Sequence, residues 1–367
     1  PDSILFFRMG DFYEMFNEDA KIASRVLEIA LTSRNKNKTN PTPMCGIPHH
    51  SSKSYIAKLI KSGKKVAICE QTEDPKLTKG LVKREVVRVV TPGTILDDNL
   101  LDPKQNHFLV SLYSNAKGWG FAALDITTGL FKVTELYGDD RELLLKDEIE
   151  KFDPKEIILS ENLMTGCNKP KWLEDRDNSL QSCEDWTFSF KDSYRLLIEH
   201  FKTSSLEGFG CEDMKLAISS AGALIQYLHK TQKSALEHVS TINVFNIHSY
   251  MLMDQATIRS LELVKSSEGE RKNSLLDLLD LSQTAMGARR IREWILKPNI
   301  DIHLIRERLD QVDSFKTDLL LRQAIRDRLK SIHDLERLLG RISLSVCNAR
   351  DIIALKISLS TLPHLLK

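Results

Sequence analysis

The sequence predicts a multidomain protein with two mixed α/β domains followed by an all-α domain. The 367 residues are too many for one ordinary hydrophobic core. Short β-rich runs alternate with helical stripes up to about residue 245, and beyond about residue 249 only helical stripes remain. The composition, 41% hydrophobic and 28% charged, is typical of globular domains. We therefore predict domains over 1–92, 93–245 and 246–367.

The first domain opens with a predicted β-hairpin. An apolar run over 4–9 breaks at Gly10 and Asp11, which favour a turn, and an aromatic-rich run follows over 12–16. In an extended segment Phe12 and Glu14 share one face, whereas Tyr13 and Met15 share the other. Burial of all the aromatic rings in a core is one interpretation. An exposed ring beside a carboxylate is the other.

For the rest of the first domain, the sequence predicts two helices and two strands that carry a basic surface. A helical stripe covers 17–31, a polar loop follows over 32–41, and a rigid connector spans 43–49. A second helix begins at Ser51 or Ser52 and ends before Gly63, followed by strands over 64–70 and 84–90. The first helical stripe consists of Ala20, Ala23, Leu27 and Leu31.

The second and third domains differ in their patterns. In the second domain we predict three strands, over 107–113, 120–126 and 130–136. We predict that a helix over 141–151, a strand over 156–159 and helices over 192–201 and 214–231 follow. The third predicts helices over 254–264, 274–281, 285–296, 302–315, 319–329, 332–339 and 349–359. The predicted helix over 302–315 carries apolar residues at the spacing of a buried stripe: Ile302, Ile305, Leu309 and Val312.

Charge is unevenly distributed. The whole chain carries a net charge of +1, but residues 34–91 hold 13 Lys+Arg against 4 Asp+Glu. A local basic surface on a neutral protein favours a polyanion site, and a solvated lysine-rich face is the equal alternative.

The cysteines and the apolar runs indicate the compartment. The six cysteines have no C-x-x-C spacing, and none is placed relative to a histidine at zinc-finger spacing, so we expect no metal site and a reducing, cytoplasmic location. We see no signal peptide and no membrane-spanning run, so we expect no membrane partner. Because the chain begins without Met and ends within a helical pattern, we expect it to be a fragment of a longer protein.

Seven motifs, in order along the chain, resemble the MutS family of bacterial DNA mismatch-recognition proteins. In the first domain they are RMGDFYE over 8–14, PMCGIPH over 43–49, VAICEQ over 66–71 and TPGT over 91–94. LDITTG over 124–129, MDQATIRSLE over 253–262 and TAMGARR over 284–290 follow. The resemblance covers essentially the whole chain. It implies a small mismatch-recognition domain, an RNase H-like connector and the start of a helical lever domain.

The resemblance also implies roles for the hairpin residues. Phe12 would wedge beside a mispaired base and stack on it, and Glu14 would hydrogen-bond the same base. Met9, Gly10, Asp11 and Tyr13 would form the supporting loop. A carboxylate near phosphates is tolerable if it binds a proton, or if its cost is highest on intact duplex.

The implied partner is double-stranded DNA with mispairs or small insertion/deletion loops, together with a MutL-like protein. The full-length protein would be a homodimer that uses ATP and Mg²⁺, whereas this fragment would be monomeric, without a cofactor and not an enzyme. Six basic residues are candidates to hold the bent DNA backbone. They are Arg34, Lys36, Lys38, Lys53, Arg84 and Arg88. Alternation places Arg84 and Arg88 on one face of their strand.

Three alternatives compete with mismatch binding. A nuclease would use Asp125, but Glu135 and Asp153 are only nearby charges and form no convincing metal site. An ATPase needs G-x-x-x-x-G-K-[S/T], whereas Gly63-Lys64 is followed by Lys65 and has Lys58 where the first glycine belongs. A platform for partner proteins would use the second and third domains. We interpret His49 and His50 as turn residues or groove contacts, not as metal ligands.

Overall fold

The computed structural model describes residues 2–35, 40–73, 82–97, 100–166, 169–234 and 236–365. Within these ranges the chain forms two six-stranded sheets with flanking helices and then a helical unit. The predicted fold class is therefore confirmed. No helix among these residues is long and apolar enough to cross a membrane.

The first sheet has two helices on one of its faces. Its strands are β1 Ser3–Met9, β2 Phe12–Phe16, β3 Thr32–Arg34, β4 Thr42–Pro48, β5 Lys65–Gln71 and β6 Arg84–Val90, in the order β3-β4-β2-β1-β5-β6. The helices are α1 Asn17–Leu27 and α2 Ser52–Lys61. Apolar side chains from both helices close a core over one sheet face. Among the described residues, α1 and α2 are the helices that pack extensively against β1, β2 or β4.

Two predictions of secondary structure within this first unit are wrong. Helix α1 ends at Leu27, because Glu28 adopts a left-handed conformation with φ +57°, and Leu31 is therefore exposed and not part of the stripe. The predicted loop and rigid connector contain strands, because β3 and β4 pair antiparallel and add two strands to the sheet.

The second sheet is covered on both faces. Its strands are β7 Phe108–Ser114, β8 Gly118–Asp125, β9 Leu130–Tyr137, β10 Glu156–Ser160, β11 Leu180–Cys183 and β12 Asn243–Val244, in the order β11-β10-β7-β8-β9-β12. The helices are α3 Arg141–Phe152, α4 Glu161–Thr165, α5 Phe190–Phe201 and α6 Lys215–Gln232. Separate apolar clusters lie on the two faces, and all eight residues of β8 are buried. Such a strand reads as a continuous apolar run.

The third unit is helical throughout its described residues. Its helices are α7 Gln255–Ser260, α8 Leu275–Leu279, α9 Ala285–Leu296, α10 Ile302–Thr317, α11 Leu319–Leu329, α12 Leu335–Ser343 and α13 Ala349–Leu365. The predicted core stripe on α10 is wrong. Its four members are exposed because no described element packs on that side: Ile302, Ile305, Leu309 and Val312.

A buried carboxylate joins the two sheets. Glu156 Oε2 accepts hydrogen bonds from Thr91 Oγ1 (2.5 Å) and the Gly93 backbone N–H (3.1 Å), and Oε1 accepts from the Tyr227 hydroxyl (2.6 Å). A Cβ at Gly93 would lie 2.9 Å from Leu109 Cδ1, so the close approach requires glycine. The TPGT motif thus fastens the end of β6 to β10.

Candidate nucleic-acid interface

The β1–β2 hairpin presents the predicted ring and carboxylate at the edge of a tight turn. Gly10 has φ +58°, a conformation that glycine adopts without steric cost. The strands pair Met9 with Phe12 and Phe7 with Glu14. The hairpin inferred from the sequence is therefore present.

One face of the hairpin is buried. Tyr13 and Met15 lie in the core of the first unit, as the alternation predicted. The Tyr13 hydroxyl donates to Glu70, and the Arg8 guanidinium lies 5.6 Å from the Tyr13 ring centroid. Burial and the neighbouring Glu70 raise the pKa of Tyr13. These contacts hold the hairpin against the core of the first unit.

The other face is open to solvent and carries the site. We call it the open face, formed by Phe12, Glu14, Phe16, Met44, Gly46 and Pro48. Phe12 is 48% exposed, although aromatic rings of this size are usually buried. Gly46 pairs with Glu14, and a Cβ there would lie 3.8 Å from Glu14 Cγ and 3.9 Å from Phe12 Cδ1. The glycine leaves the space between the ring and the carboxylate free.

Strand β4 was missed as part of the site. The interpretation of 43–49 as a rigid connector concealed the alternation in which Cys45 and Ile47 are buried and Met44 and Gly46 are not. That alternation is a strand signal, but Pro43 and Pro48 disguised it.

The predicted supporting loop adopts a defined geometry. The His49 backbone N–H donates to the Asp11 carbonyl oxygen at 2.9 Å, and the His49 ring Nδ1 lies 3.2 Å from the same oxygen. Arg8 donates from Nε to the Gly10 carbonyl oxygen. His49 thus anchors the Gly10–Asp11 turn to the end of β4, and a groove contact by His49 stays a prediction.

Five of the six basic candidates divide into three groups. Arg34 and Lys53 are exposed, at the edge strand β3 and in the first turn of α2. Arg84 is partly buried: its Nε donates to the Arg8 carbonyl oxygen at 3.0 Å and its guanidinium lies 5.4 Å from the Phe7 ring centroid. Lys36 and Lys38 lie outside the described residues.

Arg88 is a correction. Ile68 pairs with Arg88 and Cys69 with Val86, so a β-bulge leaves Val87 without an opposing residue. The extra residue places Arg84 and Arg88 on opposite faces, contrary to the prediction. The Arg88 Nη2 donates to the Thr94 carbonyl oxygen at 2.8 Å, and burial lowers the pKa of its guanidinium to about 10. Arg88 therefore lies on the core side of the sheet and is only partly exposed, and its contact with a phosphate stays a prediction.

Arg34 does not stand free beside the open face. Its Nη1 lies 3.8 Å from Glu14 Oε2, and its guanidinium carbon lies 5.9 Å from the Phe16 ring centroid. The residue expected at a phosphate thus pairs with the predicted base-contacting carboxylate.

The carboxylates of the nuclease alternative serve separate structural roles. Asp125 is buried, and its two oxygens accept hydrogen bonds from Asn106, His107 and Thr127. Glu135 accepts from the first backbone N–H groups of α6, and Asp153 pairs with Lys155 at 2.8 Å. Among the described residues, no group of three or more His, Cys, Asp or Glu side chains could hold a metal ion. The three carboxylates form no shared site.

The residues around Gly63 do not fit a nucleotide phosphate. Gly63 has φ +75° and links the end of α2 to β5. A phosphate-binding loop instead leads into a helix, whose N-terminal N–H groups bind the phosphate. This turn therefore cannot hold the phosphates of ATP in that way.

The architecture defines a multidomain protein with one fully covered sheet and one sheet that presents an aromatic ring and a carboxylate on an open face. Family models of MutS domain I, MutS domain II and MutS domain III match residues 1–99, 107–240 and 256–367. The chain belongs to the MutS family. The domain boundaries themselves stay predictions.

Curated relatives agree with these matches. The DNA mismatch repair protein MutS of Halothermothrix orenii is 46% identical over 100% of this chain and 41% of its own length. The proteins of the same name from Acetivibrio thermocellus and Alkaliphilus oremlandii are 45% and 44% identical over 99% and 100% of this chain, and 42% of their own lengths. The chain thus spans about two fifths of the length of these relatives.

Proposed function

We propose that the chain binds DNA duplexes containing a mispair or a small insertion/deletion loop, with Phe12 and Glu14 contacting the mispaired base. The observation that carries the proposal is the exposed Phe12 ring beside Glu14, on the open face of the unit that the MutS domain I model matches. The names of the relatives, DNA mismatch repair proteins, support the same function.

Phe12 is suited to insertion between base steps. It follows the Gly10–Asp11 turn, so its ring projects near the tip of a rigid hairpin. Proteins that insert apolar side chains from the minor groove unstack a step and kink the duplex. A mispair stacks poorly and deforms at lower cost, so discrimination arises from deformation energy. By analogy with single strands, stacking on an aromatic ring contributes about 1–3 kcal/mol.

The basic surface supplies affinity without sequence information. Arg34 and Lys53 are the exposed members of the predicted set within the described residues. Contacts to phosphates would hold the bent backbone and release counterions, so binding should weaken with salt.

The remaining assignments concern the longer protein. We propose that ATP and Mg²⁺ are bound and hydrolysed by residues outside the 367, because no segment of the sequence carries the phosphate-binding motif. We also propose a homodimer and a MutL-like partner for that protein. The relatives' greater length supports a division of labour of this kind.

A second candidate function is a docking platform on the second unit. Its surface exposes Tyr137, Leu143 and Trp186, which are 54%, 59% and 53% accessible. Exposed aromatic side chains are enriched at protein interfaces. Substitution of these residues should then impair repair without changing affinity for a mispair.

A fluorescence titration with G·T-containing and matched duplexes at two salt concentrations tests the first proposal. It should use both the 367-residue chain and the longer protein. We expect Phe12→Ala to abolish the preference for the G·T duplex, and Glu14→Ala to raise affinity for matched duplex. Trp186→Ala is the matched control, since it removes an exposed aromatic side chain far along the sequence. An unchanged preference in Phe12→Ala refutes the proposal.

A further inference from the structure

We propose that Arg34 is a specificity-determining residue that pairs with Glu14 in the free protein and on intact duplex, and is released to a DNA phosphate only where a mispaired base takes its place on Glu14. The inference rests on the proposed function, because it concerns the same carboxylate.

The pairing crosses three strands of the first sheet. Glu14 lies on β2, which pairs with β4, and Arg34 lies on the edge strand β3, which also pairs with β4. Arg34 stands opposite Thr42 of β4, on the same face of the sheet as Glu14, and its guanidinium lies 5.9 Å from the Phe16 ring centroid as it reaches towards Glu14. The contact therefore depends on the pairing of β3 and β4, which brings Arg34 to the face that carries Glu14.

The ion pair leaves the Oε2 atom of Glu14 without a hydrogen bond. Nη1 of Arg34 is 3.8 Å from Oε2 of Glu14, which is beyond hydrogen-bond distance. Oε2 is nevertheless buried and has no hydrogen-bond partner among the described residues. A buried acceptor without a donor is unfavourable, so a hydrogen bond from an incoming group to this oxygen would lower the free energy.

Arg34 itself is free to move. Its side chain is 51% exposed, whereas that of Glu14 is 23% exposed. A half-exposed ion pair is weak, and a guanidinium matches the geometry of a phosphate better than a single carboxylate contact at this distance. The contact with Glu14 can therefore give way to a phosphate contact once another group satisfies Glu14.

The state of the base decides between these acceptors. On intact duplex the base donors are engaged in pairing, so Glu14 needs Arg34 to offset its charge beside the phosphates. A mispaired base offers an uncommitted donor to Glu14 Oε2. Arg34 can then leave for a phosphate, and the extra phosphate contact forms only on mispaired DNA.

The salt dependence of binding reports this exchange. Each phosphate contact adds about 0.9 to the slope of log K against log salt. For the wild-type chain we expect the slope on G·T duplex to exceed that on matched duplex by about 0.9. In Glu14→Gln, Arg34 should be free on both duplexes, so the matched slope rises to meet the G·T slope. In Arg34→Ala, and in the double variant that combines Arg34→Ala with Glu14→Gln, the slopes on the two duplexes should be equal. Both should be as low as the wild-type slope on matched duplex.

Two controls make the outcomes separable. Lys53→Ala removes an exposed cation of the same unit, and its effect on the slopes should be the same with or without Glu14→Gln. Phe12→Ala tests the proposed function alone. Loss of mismatch preference in Phe12→Ala together with equal wild-type slopes would overturn only the role of Arg34, as would Arg34→Ala slopes identical to wild type on both duplexes. Retained preference in Phe12→Ala would overturn the proposed function itself.

Discussion

The two six-stranded sheets differ in what covers them. Helices and apolar clusters enclose the second sheet on both faces, whereas α1 and α2 enclose only one face of the first. Phe121 of the covered sheet is fully buried, and Phe12 of the first sheet is 48% exposed. Since both rings would gain stability from burial, the difference in exposure follows from the missing cover over the open face.

The same contrast holds for the glycines of the two sheets. A Cβ at Gly120 would lie 2.0 Å from the Leu216 carbonyl oxygen, so this glycine permits a helix to approach. A Cβ at Gly46 would lie no nearer than 3.4 Å to any neighbour. Glycine thus serves packing in the covered sheet, and on the open face it leaves space beside Phe12 and Glu14.

The largest expected effect separates the two faces of the hairpin unit. Phe6→Ala empties a fully buried site and should lower the free energy of unfolding by about 3–5 kcal/mol. Phe12→Ala, on the open face, should change it by less than about 0.5 kcal/mol. Urea denaturation of both variants measures this. A large loss for Phe12→Ala would mean that its ring belongs to the core after all.

Substitution of one glycine in each sheet tests how the packing of the two sheets differs. Gly120→Ala should destabilise by about 3 kcal/mol, because the backbone of α6 must move away from β8. Gly46→Ala should have little effect on unfolding. The same denaturation curves report both variants, and equal destabilisation would contradict the difference in cover.

The joint between the sheets should have an intermediate effect. Glu156→Ala leaves the donors on Thr91, Gly93 and Tyr227 without their acceptor and should cost about 2 kcal/mol. Glu161→Ala, an exposed neighbour in α4, is the control. Thermal unfolding would contradict the account if both variants behaved alike.

Acid should act mainly on the covered sheet. Burial lowers the pKa of His107, His200, His229 and His238 below the usual 6.5. The unfolded chain then binds more protons than the native chain as pH falls below about 6.5, so stability declines there. The slope should stay below about 1.4 kcal/mol per pH unit for each histidine. Unfolding at pH 7.5, 6.5 and 5.5 measures it, and flat stability across this window would be inconsistent with buried neutral imidazoles.

Local pattern predicted much of the fold and part of the site. Alternation correctly separated buried Tyr13 and Met15 from exposed Phe12, because side-chain direction in a strand follows sequence alone. The β-bulge at Val87 could not be read in this way, and it turned Arg88 inward. The ion pair between Arg34 and Glu14 was also hidden, because it depends on how β3 and β4 pair beside β2.

The most direct test of the open face places 2-aminopurine, a fluorescent base analogue, at the mispair of a short duplex. If Phe12 stacks beside that base, binding of the wild-type chain should change the fluorescence of the analogue. The change should vanish in Phe12→Ala and when the analogue sits in a matched pair about one helical turn away. An identical fluorescence change with Phe12→Ala at equal occupancy would contradict the proposed contact.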